Sequence, residues 1–183
     1  SNRFNPENIK HILSQFNKLP AKYYKLAVNI DYYQDLITLS NLASDFQKPL
    51  IFMSTGKLGK ISRILYKQLN SFAAYISLKD HPTAPNQIYT NEFSLYRMSE
   101  ITANTALFGI LGSDQIFKSK GLTFYNNLFC ANKMDAVYLP FFSDNIQDFL
   151  AFKTFLDNKL KAFSITMPKK ILSTKPIGKP MCL

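Results

Sequence analysis

The sequence predicts an α/β fold built on parallel strands, and three observations point to it. Short runs rich in aromatic and β-branched residues recur, each bounded by turn residues. Segments with apolar residues at helical spacing separate them. The alternation of strand and helix continues along most of the chain, which is the pattern of parallel α/β structure.

Taken in order, Asn5 can cap a helix over 6–17. Pro6 fits its first turn, and Ile9, Ile12, Leu13 and Phe16 form its apolar face. Tyr23-Tyr24-Lys25-Leu26-Ala27-Val28-Asn29-Ile30 reads as a buried strand over 23–30, bracketed by Pro20 and Asp31. An amphipathic helix over 31–46 follows, with Leu36, Ile37, Leu39, Leu42 and Phe46 as core candidates. Next come a strand over 49–54, a helix over 61–69, a strand over 73–78 and a helix over 90–99. Thr102 to Thr105 is a short polar junction and marks a boundary between residues 1–101 and residues 102–172. The second part repeats the alternation: strand 106–111, helix 122–132, strand 136–141, helix 145–158, strand 162–167. Residues 173–183 hold Pro176, Gly178 and Pro180 and read as a flexible tail.

Composition narrows the function classes. With 183 residues, 46% of them hydrophobic, the chain can bury one core or two small ones. It has no apolar run of the roughly 18 residues needed to span a bilayer. Ser1 to Lys10 is polar and lacks the apolar stretch of a signal peptide. The 2 cysteines, Cys130 and Cys182, form neither a disulfide framework nor a metal-binding spacing, so no metal is expected. A reducing compartment fits: the cytoplasm, or a plastid if the source is a plant. The net charge of +10 invites a nucleic-acid reading, but the lysines are scattered and no nucleic-acid motif occurs. A basic surface also suits carboxylate substrates.

Lys25 is the first candidate for chemistry. A lysine in a buried strand loses hydration, which disfavours its charged form. A neutral amine is a nucleophile that condenses with a ketone to give a Schiff base. The alternative is a lysine on a solvated strand edge, its amine reaching to water.

Three segments in order give Lys25 a context. The first is Lys25-Leu26-Ala27-Val28. The second is Met53-Ser54-Thr55-Gly56-Lys57-Leu58-Gly59-Lys60-Ile61-Ser62-Arg63. The third is Pro82-Thr83-Ala84-Pro85-Asn86-Gln87. Over residues 5–98 they resemble the last third of a type I 3-dehydroquinate dehydratase, with its Met-Ser-x-Gly-x-x-Gly-x-x-Ser-Arg turn and its Ser-Ala-Pro-Gly-Gln loop. The resemblance implies the closing strand–helix units of a (β/α)8 TIM barrel, which needs eight such units to close. It implies that Lys25 is the Schiff-base lysine. The iminium acidifies the adjacent C–H, and loss of that proton and of water converts 3-dehydroquinate to 3-dehydroshikimate. Arg63 matches the arginine that grips the substrate carboxylate, the alternative being a solvated helix arginine. Thr83 and Gln87 match the hydroxyl and amide of the substrate-covering loop, in which Asn86 replaces the usual glycine. Met53 matches a wall residue or is a plain core methionine. The family's histidine base has no counterpart: neither His11 nor His81 matches it. The chain therefore reads as truncated at its N-terminus.

The second half carries another resemblance. Ala106-Leu107-Phe108-Gly109-Ile110-Leu111-Gly112, then Ser119-Lys120-Gly121, then Ala162-Phe163-Ser164-Ile165-Thr166-Met167-Pro168-Lys169-Lys170 are similar in order to the substrate-binding domain of shikimate dehydrogenase, over 104–172. The family's Ser-x-Ser pair keeps only Ser119, because Gly121 stands at the second position. Thr166 matches a substrate-binding threonine. Lys170 matches the catalytic lysine, its alternative being a solvated lysine beside Lys169. No Gly-x-Gly-x-x-Gly fingerprint occurs, so NADP is expected only for a full-length dehydrogenase and no cofactor for this chain.

The leading expectation is thus part of a bifunctional shikimate-pathway enzyme, acting on 3-dehydroquinate, 3-dehydroshikimate and shikimate. Whether this chain alone is an enzyme stays open. A non-catalytic binding or scaffold protein with the same folds is the alternative, and a basic nucleic-acid binder a weaker one. Self-association, or a missing complementary fragment, is expected of so few barrel units.

Overall fold

Strand β1 (Tyr24–Val28) runs parallel to β2 (Leu50–Ser54), with Tyr24 opposite Leu50 and Val28 opposite Ser54. The computed structural model describes residues 4–78, 81 and 83–166. Helix α1 (Pro6–Asn17) precedes β1, and the Asn5 side chain accepts from the amides of Glu7 and Asn8 as the sequence predicts. Helix α2 (Tyr33–Asp45) makes the crossover between the strands. Tyr24 meets Phe16 and Phe46 at centroid distances of 5.2 and 5.5 Å, which joins this sheet to both helices. Tyr24, Leu26, Leu50 and Phe52 are buried together, while Lys25 and Ala27 point the other way and are exposed. The run over 23–30 is therefore a half-buried strand with period-two alternation, not a fully buried one.

Short helix α3 (Gly59–Ile64) follows β2 and continues as turns to Asn70. The predicted strand over 73–78 shrinks to β3 (Ile76–Ser77), paired in parallel with β4 (Ile88–Tyr89), a strand the sequence reading lacks. The cause is Ser71. Its hydroxyl accepts from Phe52 N at 2.9 Å and donates to Ala73 O at 3.0 Å. A side chain thus occupies the place of a ladder bond, and Phe72, Tyr75 and Leu78 are left exposed. Helix α4 (Thr90–Leu95) also ends earlier than predicted.

The second half is a parallel sheet in the order β6–β5–β7, from β5 (Ala106–Gly112), β6 (Ala136–Phe142) and β7 (Leu160–Ile165). A 3-10 turn over Asp114–Lys118 leads into α5 (Lys120–Ala131), which packs on the face bearing Phe108 and Tyr138. Asn126 of α5 serves the backbone of edge strand β6: it donates to Tyr138 O at 2.9 Å and accepts from Tyr138 N at 2.8 Å. Helix α6 (Ile146–Phe155) covers the opposite face through Phe149, which lies 5.4 Å from Phe141 and 5.0 Å from Phe163. The predicted tail over 173–183 lies outside the described residues.

The halves are joined by a cap supplied in trans. Tyr32, at the head of α2, gives no side-chain cap. Asp148 of α6 does so instead, accepting from Tyr33 N at 2.7 Å and Gln34 N at 2.9 Å. An anion at a helix N-terminus also complements the helix dipole. Tyr33 stacks on Phe152 at 4.6 Å in the same interface, and burial together with the Asp148 charge pushes its phenol well above the ordinary value. The Lys57–Asp144 ion pair at 2.8 Å is half exposed and adds little. Arg97 donates to Met134 O and Ala136 O at 3.2 and 3.1 Å. Asp148→Ala is expected to lower stability by about 1 kcal/mol in urea unfolding, while Asp148→Asn retains only part of the cap, since its amide offers one acceptor oxygen to two N–H groups and no charge. Identical unfolding midpoints for Asp148→Ala and the wild type would show that the cap contributes nothing.

Candidate functional site

The turn after β2 is a closely bonded hub. Ser54 Oγ donates to Ile30 O at 2.9 Å and accepts from Ile30 N and Gly56 N at 3.2 and 3.0 Å, tying the end of β2 to the end of β1. Ser62 Oγ accepts from Ser54 N at 3.0 Å and donates to Gly59 O at 2.9 Å, fixing the start of α3 against the strand. Both serines are fully buried. Gly56 is required by close approach, since a Cβ there would collide with Asn29, Asp31 and the Ile30 carbonyl.

Arg63 is the main occupant of this hub. It is 1% exposed, which excludes the solvated-arginine reading. Its Nη1 donates to the carbonyls of Ser54 at 2.7 Å, Gly59 at 2.7 Å and Asn86 at 3.2 Å. Its Nε is buried and has no hydrogen-bond partner among the described residues. Burial lowers the Arg63 pKa to about 10. The bonds recorded for Arg63 are to carbonyl dipoles, and a carboxylate ligand would supply the counter-charge.

The loop 83–87 folds onto this hub. Gln87 is buried; its Oε1 accepts from Thr83 N and Ala84 N at 3.0 and 3.2 Å, and its Nε2 donates to Thr83 Oγ1 at 2.9 Å. Asn86 adopts a left-handed backbone with φ 53°. Its side chain donates to Gly56 O at 2.8 Å. Arg63, Thr83 and Gln87 are therefore brought into one bonded neighbourhood, together with Asn86, noted above as replacing the usual glycine, and with Ser54 and Ser62, which the sequence reading did not single out. The serines were visible as small polar residues flanking the glycines, but nothing in the sequence told hub bonds from surface polarity.

Lys25 departs from expectation. Its face of β1 is exposed, so the burial argument for a neutral amine fails. The amine lies 4.4 Å from the centroid of the Tyr75 ring, an attractive cation–π arrangement. Met53 shares this face by register with Ala27 and is itself buried.

In the second half, Ser119 caps α5, its hydroxyl accepting from Gly121 N at 3.2 Å. Thr166 N donates to Leu111 O at 3.0 Å, and its hydroxyl lies over Gly112, where a Cβ would come within 2.5 Å of it. Both belong to the C-terminal end of the sheet. Lys170 lies outside the described residues. A cavity of about 560 Å³ separates Lys57 and Asn86 of the first half from Ser113, Asp114 and Phe117 of the second.

A family model of type I 3-dehydroquinase matches residues 1–102. The chloroplastic bifunctional 3-dehydroquinate dehydratase/shikimate dehydrogenase of Arabidopsis thaliana is 25% identical over 166 residues, 90% of this chain and 27% of that protein. The 3-dehydroquinate dehydratase of Streptococcus pyogenes serotype M5 (strain Manfredo) is 33% identical over 92 residues, 48% of this chain and 40% of that enzyme. Among solved structures, the dehydroquinate dehydratase and shikimate dehydrogenase from S. pombe AroM aligns with a TM-score of 0.41 and 18% identity, over 92% of this chain and 32% of that one. The chain thus spans 27% and 40% of the length of these two curated relatives. With residues 1–102 of its 183 matched by that family model, the chain belongs to the type I 3-dehydroquinase family.

Proposed function

We propose that the chain comprises the closing units of a type I 3-dehydroquinate dehydratase barrel followed by the substrate-binding domain of a shikimate dehydrogenase, and that it serves the shikimate pathway by binding its carboxylate intermediates. The observation that carries this is Arg63: a buried guanidinium inside the family motif, held by carbonyls, with Nε unpartnered. The loop carrying Thr83 and Gln87 lies beside it, and its hydroxyl and amide suit a polyhydroxylated ring. Lys25 is the residue that would attack the ketone, expelling water as the iminium forms and returning the amine on hydrolysis.

The exposure of Lys25 favours a second reading, a binding remnant that no longer turns over. A nucleophilic lysine needs an apolar or cationic setting, and the described residues do not enclose this one. Catalysis then requires another polypeptide surface over this face of β1 and β2. Tyr23, Phe72, Tyr75, Ile76 and Leu78 lie exposed in the same half and offer apolar area to it. Reduction by NADP stands outside the proposal, because the sequence lacks the glycine fingerprint that would seat its pyrophosphate.

Borohydride reduction in the presence of 3-dehydroquinate is expected to fix substrate mass on the peptide containing Lys25 and on no other. Adducts spread over surface lysines, or adducts that persist in Lys25→Ala, would overturn the Schiff-base reading. Sedimentation velocity is expected to show self-association beyond the 21.0 kDa chain, or capture of a fragment carrying earlier barrel units. A stable monomer with a cooperative melt counts against a missing cover.

The second half generates its own outcome. A Cβ at Gly121 would stand 3.3 Å from Ser119 Oγ, 3.5 Å from the Tyr138 ring and 3.6 Å from the Tyr125 ring, so a serine there fits with a small shift of the Ser119 hydroxyl. It would place a second hydroxyl beside the first. A hydrogen bond to a charged group contributes roughly 1.5–3 kcal/mol, or about tenfold to a hundredfold in affinity. Gly121→Ser is expected to tighten shikimate binding by that factor in an NMR titration, with no NADPH oxidation in either form. Unchanged affinity would remove Gly121 from the site.

A further inference from the structure

We infer that Asn86 is a positioning residue that latches the loop 83–87 onto the Gly56–Gly59 turn without a ligand, and thereby sets the direction in which Arg63 presents its free edge. The inference rests on the reading of Arg63 as a carboxylate site only in its last clause; the latch itself is a property of the unliganded chain.

Asn86 joins the loop to the turn in more than one way. Its side chain donates to Gly56 O at 2.8 Å. Its own carbonyl accepts from Arg63 Nη1 at 3.2 Å. Its Cβ rests against Gly59, where an added Cβ would meet it at 2.5 Å. The two groups act on different partners, so one residue ties the loop both to the turn and to the guanidinium. The backbone that allows this has φ 53°, a left-handed conformation that asparagine tolerates better than most non-glycine residues.

The consequence for Arg63 is geometric. With Nη1 held by carbonyls of β2, the turn and the loop, the planar guanidinium has its orientation fixed. The unpartnered Nε then lies on the side edge of the fork, the edge suited to bidentate carboxylate pairing. An open loop would leave Nη1 with fewer carbonyls and the fork free to rotate. The latch therefore exchanges speed of ligand entry for a preorganised cation.

Asn86→Gly tests this, because glycine keeps the left-handed backbone without strain while removing the side-chain bond and the Cβ contact on Gly59. Asn86→Asp keeps size but replaces the donor with an acceptor facing the Gly56 carbonyl. Hydrogen exchange of the unliganded protein, read by mass spectrometry, is expected to speed up for residues 83–89 by about fivefold to tenfold in both variants, the scale of one net hydrogen bond. Exchange in β5 and β6 stays unchanged. Association of 3-dehydroshikimate, followed by NMR lineshape, is expected to quicken by a similar factor, with the unfolding midpoint lowered by no more than that one net hydrogen bond. A merely structural role would lower the midpoint and leave the association rate alone. Unchanged loop exchange in both variants overturns the latch, whatever binds. If loop exchange rises but 3-dehydroshikimate binds neither variant nor the wild type, the latch stands and the reading of Arg63 as a carboxylate site falls.

Discussion

Arg63 is a cation held in the interior by dipoles. Burying a charge costs several kcal/mol even after relaxation, and carbonyl oxygens offset it only in part. This constraint organises the first half. The carbonyls of Ser54, Gly59 and Asn86 must converge on one nitrogen, so the end of β2, the start of α3 and the loop before β4 must meet. Ser54 and Ser62 hold the first two of these in place by bonds that run between strand and helix. Gly56 and Gly59 let the backbone come close enough for those bonds to form. Placing the family motif at this point is thus a folding requirement, and the residues that stabilise the cation are also those that orient it.

The second half is coupled to this hub through α2 rather than through the site. Asp148 completes a helix whose own sequence lacks a capping side chain, and Tyr33 beside it is stacked on α6. The halves share a buried aromatic contact and a charge-assisted cap, which is stronger than a neutral one. The cavity of about 560 Å³ between them is walled by Asn86 from one side and by the turn before α5 from the other.

Much of the fold was legible in the sequence because most elements obey local rules. Asn5 and Pro6 start α1, and Asn145 caps α6 by the same chemistry. The β5 and β6 runs are apolar because their sheet is covered on both faces. What was hidden has physical causes. Lys25 looked buried because Tyr24 and Leu26 beside it are buried, and the alternation that exposes it depends on a face left uncovered. The run over 73–78 looked like a strand, but a serine hydroxyl takes the ladder position. Helix ends were obscured for another reason. The chain has 6 glycines, and none among the described residues has positive φ. Asn70, Arg97 and Lys133 take the left-handed positions that end α3 and its turns, α4 and α5. Glycine, the usual stop signal, was therefore missing from those positions.

The same economy of glycine explains the loop. Where a glycine would give mobility, Asn86 gives a left-handed residue with a side chain, and that side chain donates to Gly56 O, which also accepts from Gly59 N. A conformational need filled by a polar residue creates an extra tether. The tether falls on the segment that carries Thr83 and Gln87, so backbone chemistry and site chemistry are linked at one position. Gln87 reinforces this from within the loop by accepting from Thr83 N and Ala84 N and returning a donor to the Thr83 hydroxyl. The amide that the family resemblance assigns to substrate is already engaged in holding its own loop. A ligand would have to compete for those bonds or use the lone pairs and the second amide hydrogen that they leave. The hydroxyl of Thr83 accepts from Gln87 Nε2 at 2.9 Å and donates to Gln87 Oε1 at 3.4 Å, so its proton too is turned inward, on the longer and weaker of the two bonds.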